Sequence, residues 1–132
     1  NIVSILRKSS EALLPYQRSD GAFETVINKV GKTYRELSFT ALVAFGWMKA
    51  VRLGYLDKKY LEPALKAYKC VVDALEFKND HVYMPEISGP TTPLPLFPYL
   101  GYAWLPKKRN WSYGIAPLVY AAIEFDQIAQ KH

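Results

Sequence analysis

With 132 residues, 50% of them hydrophobic and 22% charged, the chain has the composition of one folded domain or a piece of one, not of a disordered segment. Its formal charge of +5 admits an acidic partner, yet apart from Lys107-Lys108-Arg109 the basic residues are scattered, unlike a nucleic-acid footprint, so an anionic small ligand or polysaccharide is expected and nucleic acid is not. No apolar run approaches the ~20 residues that cross a bilayer, and no leader pattern is present, so a cytoplasmic protein without a membrane span is expected.

In chain order, Ile2, Ile5, Leu6, Leu13 and Leu14 alternate with Arg7, Lys8 and Glu11, which predicts an amphipathic helix ending near Pro15. Ser19-Asp20-Gly21 signals a turn, and the alternation around Phe23, Thr25, Val26 and Ile27 predicts a loop with a short extended segment. From Tyr34 to Leu53 the pattern predicts a helix stopped by Gly54, with first turns that lack a polar face and so call for burial all round. Asp57 can cap a short turn over "KKYLEP", and Pro63 to Leu75 reads as a second amphipathic helix.

Periodicity stops between Lys78 and Ser112. Six of the nine prolines fall from Pro85 to Pro106, interleaved with large aromatics, which predicts a long, ordered, packed loop and not a linker. The last helix, Pro117 to Ala129, is apolar except for Glu124, Asp126 and Gln127 and should be mostly buried. Amphipathic, buried, amphipathic, buried is the order made by two concentric layers of antiparallel helices. The fold class expected is therefore all-α, an arc of a larger α/α ring, with 1–132 as one domain. The chain opens on Asn1 and not Met, and an internal piece of a longer protein is expected.

Four stretches then align in order and spacing with a known pattern: Asp20-Gly21 followed by aromatic Phe23; the helix start Glu36, Ser38, Thr40, Ala41; the turn Gly54-Tyr55-Leu56; and Ala121, Ala122 and Glu124 in the late helix. Together they resemble the last part of glycoside hydrolase families 88 and 105, the unsaturated glucuronyl and rhamnogalacturonyl hydrolases, and the likeness covers most of the chain outside the proline-rich loop. The resemblance implies an (α/α)6 toroid of six hairpins, of which this chain supplies the C-terminal arc. It implies hydration of the C=C bond of an unsaturated uronic acid, as in pectin degradation, by an aspartic acid in the earlier half, so no catalytic residue transfers. Phe23 replaces the family's tryptophan, Glu24 and Thr25 differ from the family's next two positions, and the 78–112 loop lacks the family's glycine-rich turn.

The candidate substrate-binding residues are Asp20, Phe23, Glu36, Trp104, Arg109 and Trp111. Glu36 shares a helical face with Thr40, Val43 and Trp47, and either meets sugar hydroxyls at the ring mouth or caps its own helix, or both. Asp20 either orients a substrate loop or makes the turn that Asp-Gly commonly makes. Phe23 either stacks on a sugar or belongs to the core. Trp104, Trp111, Tyr99 and Tyr102 beside Lys107, Lys108 and Arg109 suit a sugar ring bearing a carboxylate, or else form a packed lid. His81 and His132 lack partners at metal-ligand spacing, and Cys70 reads as an inert thiol at the core edge, so no metal, cofactor or nucleophile is expected. The function expected is part of an unsaturated uronyl hydrolase; the alternative is a non-catalytic carbohydrate-binding or assembly module. In either case the partners are an anionic oligosaccharide and either a second copy or a complementing N-terminal segment.

Overall fold

The computed structural model describes residues 1–90 and 96–130. Helix α1 (Ile2–Leu13) begins where the Asn1 side chain accepts the Val3 amide at 3.1 Å. Leu6, Leu13 and Leu14 reach the core, but Ile2 and Ile5 of the expected stripe are 81% and 64% exposed. Pro15 falls in the short 3-10 turn Leu14–Tyr16 that ends this segment.

Helix α2 (Leu37–Arg52) starts three residues later than expected, because the backbone up to Glu36 is extended: Glu24 and Arg35 form an isolated antiparallel bridge. Its end is a Schellman motif, in which Gly54 at φ +75° lets the Tyr55 amide reach the Ala50 carbonyl at 2.8 Å and its own amide reach Val51 at 3.0 Å. Asp57 caps the turn Lys58–Tyr60, and α3 (Leu61–Asp73) follows. α2 packs against both α3 and the last helix, α5 (Ser112–Ala129). Two adjoining clusters form the core. One centres on Phe23, Trp47, Met48 and Tyr60; the other joins Leu37, Ala41, Val71, Met84 and Ile87.

The stretch expected to be an unpatterned loop holds two ribbons and a short helix. β1 (Glu76–Lys78) and β2 (His81–Tyr83) pair antiparallel around Asn79-Asp80, both at positive φ, the conformation of a two-residue type I′ hairpin. β3 (Ile87–Ser88) pairs antiparallel with β4 (Lys107–Lys108), and α4 (Pro98–Ala103) lies between them in sequence. Asn110 clamps the two ribbons together, exchanging bonds with Met84 and donating to the Val82 carbonyl. Helices nonetheless dominate, as an all-α fold requires, and the strands are two or three residues long.

Two expectations about burial are corrected. α5 begins at Ser112 and carries Pro117 inside it, where the proline forgoes the bond to the Tyr113 carbonyl. Neither α5 nor α2 is enclosed: Leu42, Val119, Tyr120 and Ile123 are each about half exposed. No element among the described residues covers that strip. Within the core of the arc α5 is fixed to α2 by the buried Glu124 carboxylate, which Arg52 grips through Nε and, at 3.2 Å, through Nη2.

The loop from Glu24 to Arg35 closes around one carboxylate. Glu24, 1% exposed, accepts the Gly31 amide at 2.7 Å, the Thr33 amide at 3.0 Å, the Thr33 hydroxyl at 2.9 Å and Arg18 Nη1 at 2.5 Å. Burial pushes its pKa up, but these donors outweigh it and hold it below the ordinary glutamate value. A carboxyl with a depressed folded pKa stabilises fully above its unfolded pKa, and that contribution drains as pH falls through the folded value. Denaturant unfolding should therefore show stability declining below about pH 4.3. Glu24→Gln, which turns an amide N–H toward backbone donors, should cost about 2–3 kcal/mol at pH 7 and flatten that acid limb. An unchanged acid limb in the variant would reject the assignment. Close by, Gly21 sits at φ +95° and a Cβ there would lie 2.5 Å from the Lys66 carbonyl oxygen, so Gly21→Ala should lower stability by about 1–3 kcal/mol in the same assay.

Candidate functional site

The residues that open α2 also build a cavity. Glu36 is the N-cap: one carboxylate oxygen accepts the Phe39 amide at 2.5 Å, and the other accepts the Ser38 hydroxyl at 2.7 Å and the Ser88 amide at 2.9 Å. The last of these bonds ties α2 to β3. One turn further on, the Thr40 hydroxyl donates to the Glu36 carbonyl at 2.8 Å and accepts the Phe23 amide at 3.0 Å, so the loop after Asp20-Gly21 is held against the helix face. Glu36, Thr40, Val43 and Trp47 all lie buried on that face, and the Trp47 indole donates to the Ser10 hydroxyl at 3.0 Å.

Above this cap lies an open cavity of about 410 Å³, lined among others by Glu36, Ser38, Phe39, Ser88, Tyr102 and Tyr113. Tyr113 donates its hydroxyl to the Ser88 carbonyl. Burial, then the negative charge of Glu36, pushes the Tyr113 pKa up, so the phenol stays protonated. The cavity thus offers hydroxyls beside aromatic and apolar walls, a combination that suits a ring with polar edges and C–H faces. Glu24 also reaches its margin. The oxygens of both carboxylates are already taken up by donors of this chain.

Of the sequence-derived candidates, Glu36 lines this cavity, and so does Tyr102 of the aromatic group around Trp104 and Trp111. Asp20 makes a turn: its carboxylate accepts the Ala22 amide at 3.1 Å and faces Arg18 at 3.2 Å and Arg35 at 3.8 Å. Phe23 is 0% exposed and meets Phe39 and Trp47 edge-on at 5.7 and 5.9 Å, so its ring makes core contacts and no face is open to a sugar; the stacking expectation is corrected. Trp104 stands 76% exposed, away from the cavity lining. Trp111 touches the site only through its edge-on contact with Tyr113 at 5.5 Å. Arg109 pairs with Glu76 at 3.3 Å and lines a different cavity. Ser88 and Tyr113 were not singled out from sequence. Ser88 lies on a two-residue strand without a pattern, whereas Tyr113 stood inside the stretch "WSYG".

The His81 ring lies edge-on to Tyr83 at 6.5 Å, and among the described residues no group of three or more His, Cys, Asp and Glu side chains could hold a metal; His132 lies outside them. Burial pushes the Cys70 thiol pKa up, with Asp20 adding to the shift and Arg35 opposing it, which leaves the thiol unreactive. No helix among the described residues is long and apolar enough to cross a membrane.

The fold has counterparts among solved structures. A possible member of glycoside hydrolase family 105 from Salmonella enterica serovar Paratyphi A aligns over 93% of this chain and 31% of its own, with TM-score 0.82 and 26% identity. A possible family 105 member from Klebsiella pneumoniae aligns over 93% and 30%, with TM-score 0.81 and 25% identity. A family 105 glycoside hydrolase of C. acetobutylicum, 24% identical, covers 95% of this chain and 37% of its own at TM-score 0.84, a likeness of fold. The chain therefore spans about a third of the length of these structures, and its helices are an arc of an (α/α)6-type toroid. No curated protein matches it. The sequence model described as Glycosyl Hydrolase Family 88 matches residues 1–129, and the chain belongs to that glycoside hydrolase family.

Proposed function

We propose that this chain is the substrate-contacting arc of a glycoside hydrolase that hydrates the 4,5-double bond of unsaturated uronic-acid oligosaccharides, with the 410 Å³ cavity as the sugar contact. One observation supports the reading: the Ser38 and Tyr113 hydroxyls, each with acceptor capacity left, converge there beside aromatic walls, while every oxygen of the two carboxylates at its edge already accepts a hydrogen bond. An enol ether is protonated at carbon, so the chemistry needs an acid with a proton to give. Glu24 is held ionised by its donors and supplies none. The role left to this chain is to bind and orient the ring, through Ser38, Tyr113 and the Ser88 backbone, while the proton comes from a complementing segment.

The same observation favours a second reading, a carbohydrate-binding or assembly module with no turnover. Association belongs to both, because the half-exposed strip of Leu42, Val119, Tyr120 and Ile123 suits a covering partner, either a complementing segment or a second copy. A cytoplasmic setting and a role in pectin breakdown go with the first reading.

Tyr113→Phe and Ser38→Ala should each weaken binding of an unsaturated uronyl disaccharide by about three- to thirtyfold, roughly the loss of one hydrogen bond, with unfolding midpoints little changed. Calorimetric titration measures this, and unaltered affinity in both variants would remove the cavity from consideration. Loss of the ultraviolet absorbance of the conjugated double bond separates the two readings. Turnover should appear only with a complementing polypeptide, and a chain that binds the disaccharide in every assembly without turnover is the binding module.

A further inference from the structure

Residues 34–36 and 86–88 divide two cavities. Glu36 and Ser88 face the sugar cavity; Arg35 and Glu86 face another, of about 500 Å³, lined also by Glu76, Lys107, Lys108 and Arg109. Four cations there meet two carboxylates, so the pocket carries positive charge in excess. It is also the one tight basic cluster of the sequence, now joined by Arg35 from another part of the chain.

These cations are held in place. Glu86 takes Arg35 at 2.7 Å and Lys107 at 2.9 Å, and Glu76 takes Arg109 at 3.3 Å. The Lys107 ammonium lies 5.1 Å above the Tyr34 ring and that of Lys108 5.5 Å above Trp111. Lys108 has no carboxylate partner among the described residues. One Glu76 oxygen is buried without a hydrogen-bond donor, with Arg109 at 3.3 Å and Lys78 at 3.8 Å within ion-pair reach. A cavity with a spare cation beside two carboxylates suits a ligand carrying both a negative charge and hydroxyl donors.

We infer that this basic cavity is a second glycan-anchoring site, taking one carboxylate-bearing sugar unit of a polyuronate chain. The inference rests on the reading of the protein as a uronate-binding glycoside hydrolase arc. A uronate matches the pocket group by group. Its carboxylate meets Lys108 and Arg109, and its hydroxyls meet the glutamates that line the cavity. A phosphodiester chain matches less well, because its successive charges would run into the two glutamates.

Tetragalacturonate titrated into the 15N-labelled chain should shift the backbone amides of Arg35 and residues 107–109. By calorimetry, Lys108→Gln/Arg109→Gln should weaken its binding by about tenfold or more, whereas Lys8→Gln/Lys58→Gln, exposed cations elsewhere, should change it by less than about twofold. Equal losses in the two double variants would reduce the effect to net charge and overturn the proposal. So would a single-stranded oligothymidylate of equal charge that binds residues 107–109 as tightly. If the double variant misfolds, the amide shifts of the unmodified chain decide: none at 107–109 sinks the site. Shifts at 107–109 without any at Ser88 and Tyr113 would support this site independently of the sugar cavity; shifts at Ser88 and Tyr113 alone would overturn it and leave the sugar cavity standing.

Discussion

The site depends on the Glu36 carboxylate at the start of α2. It satisfies an orphan amide of the first helical turn, as any N-cap does, and in the same geometry accepts the Ser88 amide from β3. Ile87, the neighbour of Ser88, packs where Gly114 of α5 has no side chain; a Cβ on that glycine would lie 2.4 Å from Ile87 Cδ1. One charged group therefore sets the distance between α2 and β3, and a missing side chain sets that between β3 and α5. The cavity is the space these two constraints leave. The carboxylate at the mouth of this apolar helix is thus a structural cap that also lines the cavity.

Charge in this arc is committed to architecture. Glu24 gathers Arg18 and the 24–35 loop, Glu86 gathers Arg35 and Lys107, and Glu124 takes Arg52 between α2 and α5. Each carboxylate is shielded from bulk water to some degree, and a partly buried anion left without its partner would be costly. Groups tied up in this way cannot shuttle protons without releasing what they hold. That is the physical basis for the proposal that this chain contacts and orients a substrate and does not supply the proton.

The helices were legible because their signals are local: the Pro15 stop, the Gly54 turn that became a Schellman motif, the Asp57 cap and the periodicity of α3. Glu36 was legible as a cap for the same reason. Strands β3 and β4 were not, since two residues carry no period and their partners lie about twenty apart in sequence. The β1–β2 hairpin did leave a trace in Asn79-Asp80, masked by the surrounding prolines and aromatics. Phe23 and Arg109 mark the other limit. Composition suggests what an aromatic or a guanidinium can bind, but only packing shows that Phe23 points into the core and that Arg109 opens on a separate cavity.

The misjudged burial of α5 has a more general cause. A helix apolar on all sides is written for an environment apolar on all sides, and hydrophobic pattern records that environment whether or not one stretch of chain can supply it. In this arc Ala121 and Glu124 face α2 and are buried, while Val119, Tyr120 and Ile123, on the same helix, meet no cover among the described residues. Leu42 on α2 is likewise about half exposed. An uncovered apolar face of this kind lowers solubility and favours association, so the sequence encodes contacts that the isolated arc does not make. The pattern of α5 is therefore consistent with the toroid arc and with association with a covering partner. Its apolar pattern was read as that of a helix in a larger ring, needing more cover than its amphipathic neighbours give, and among the described residues part of its face indeed stands open.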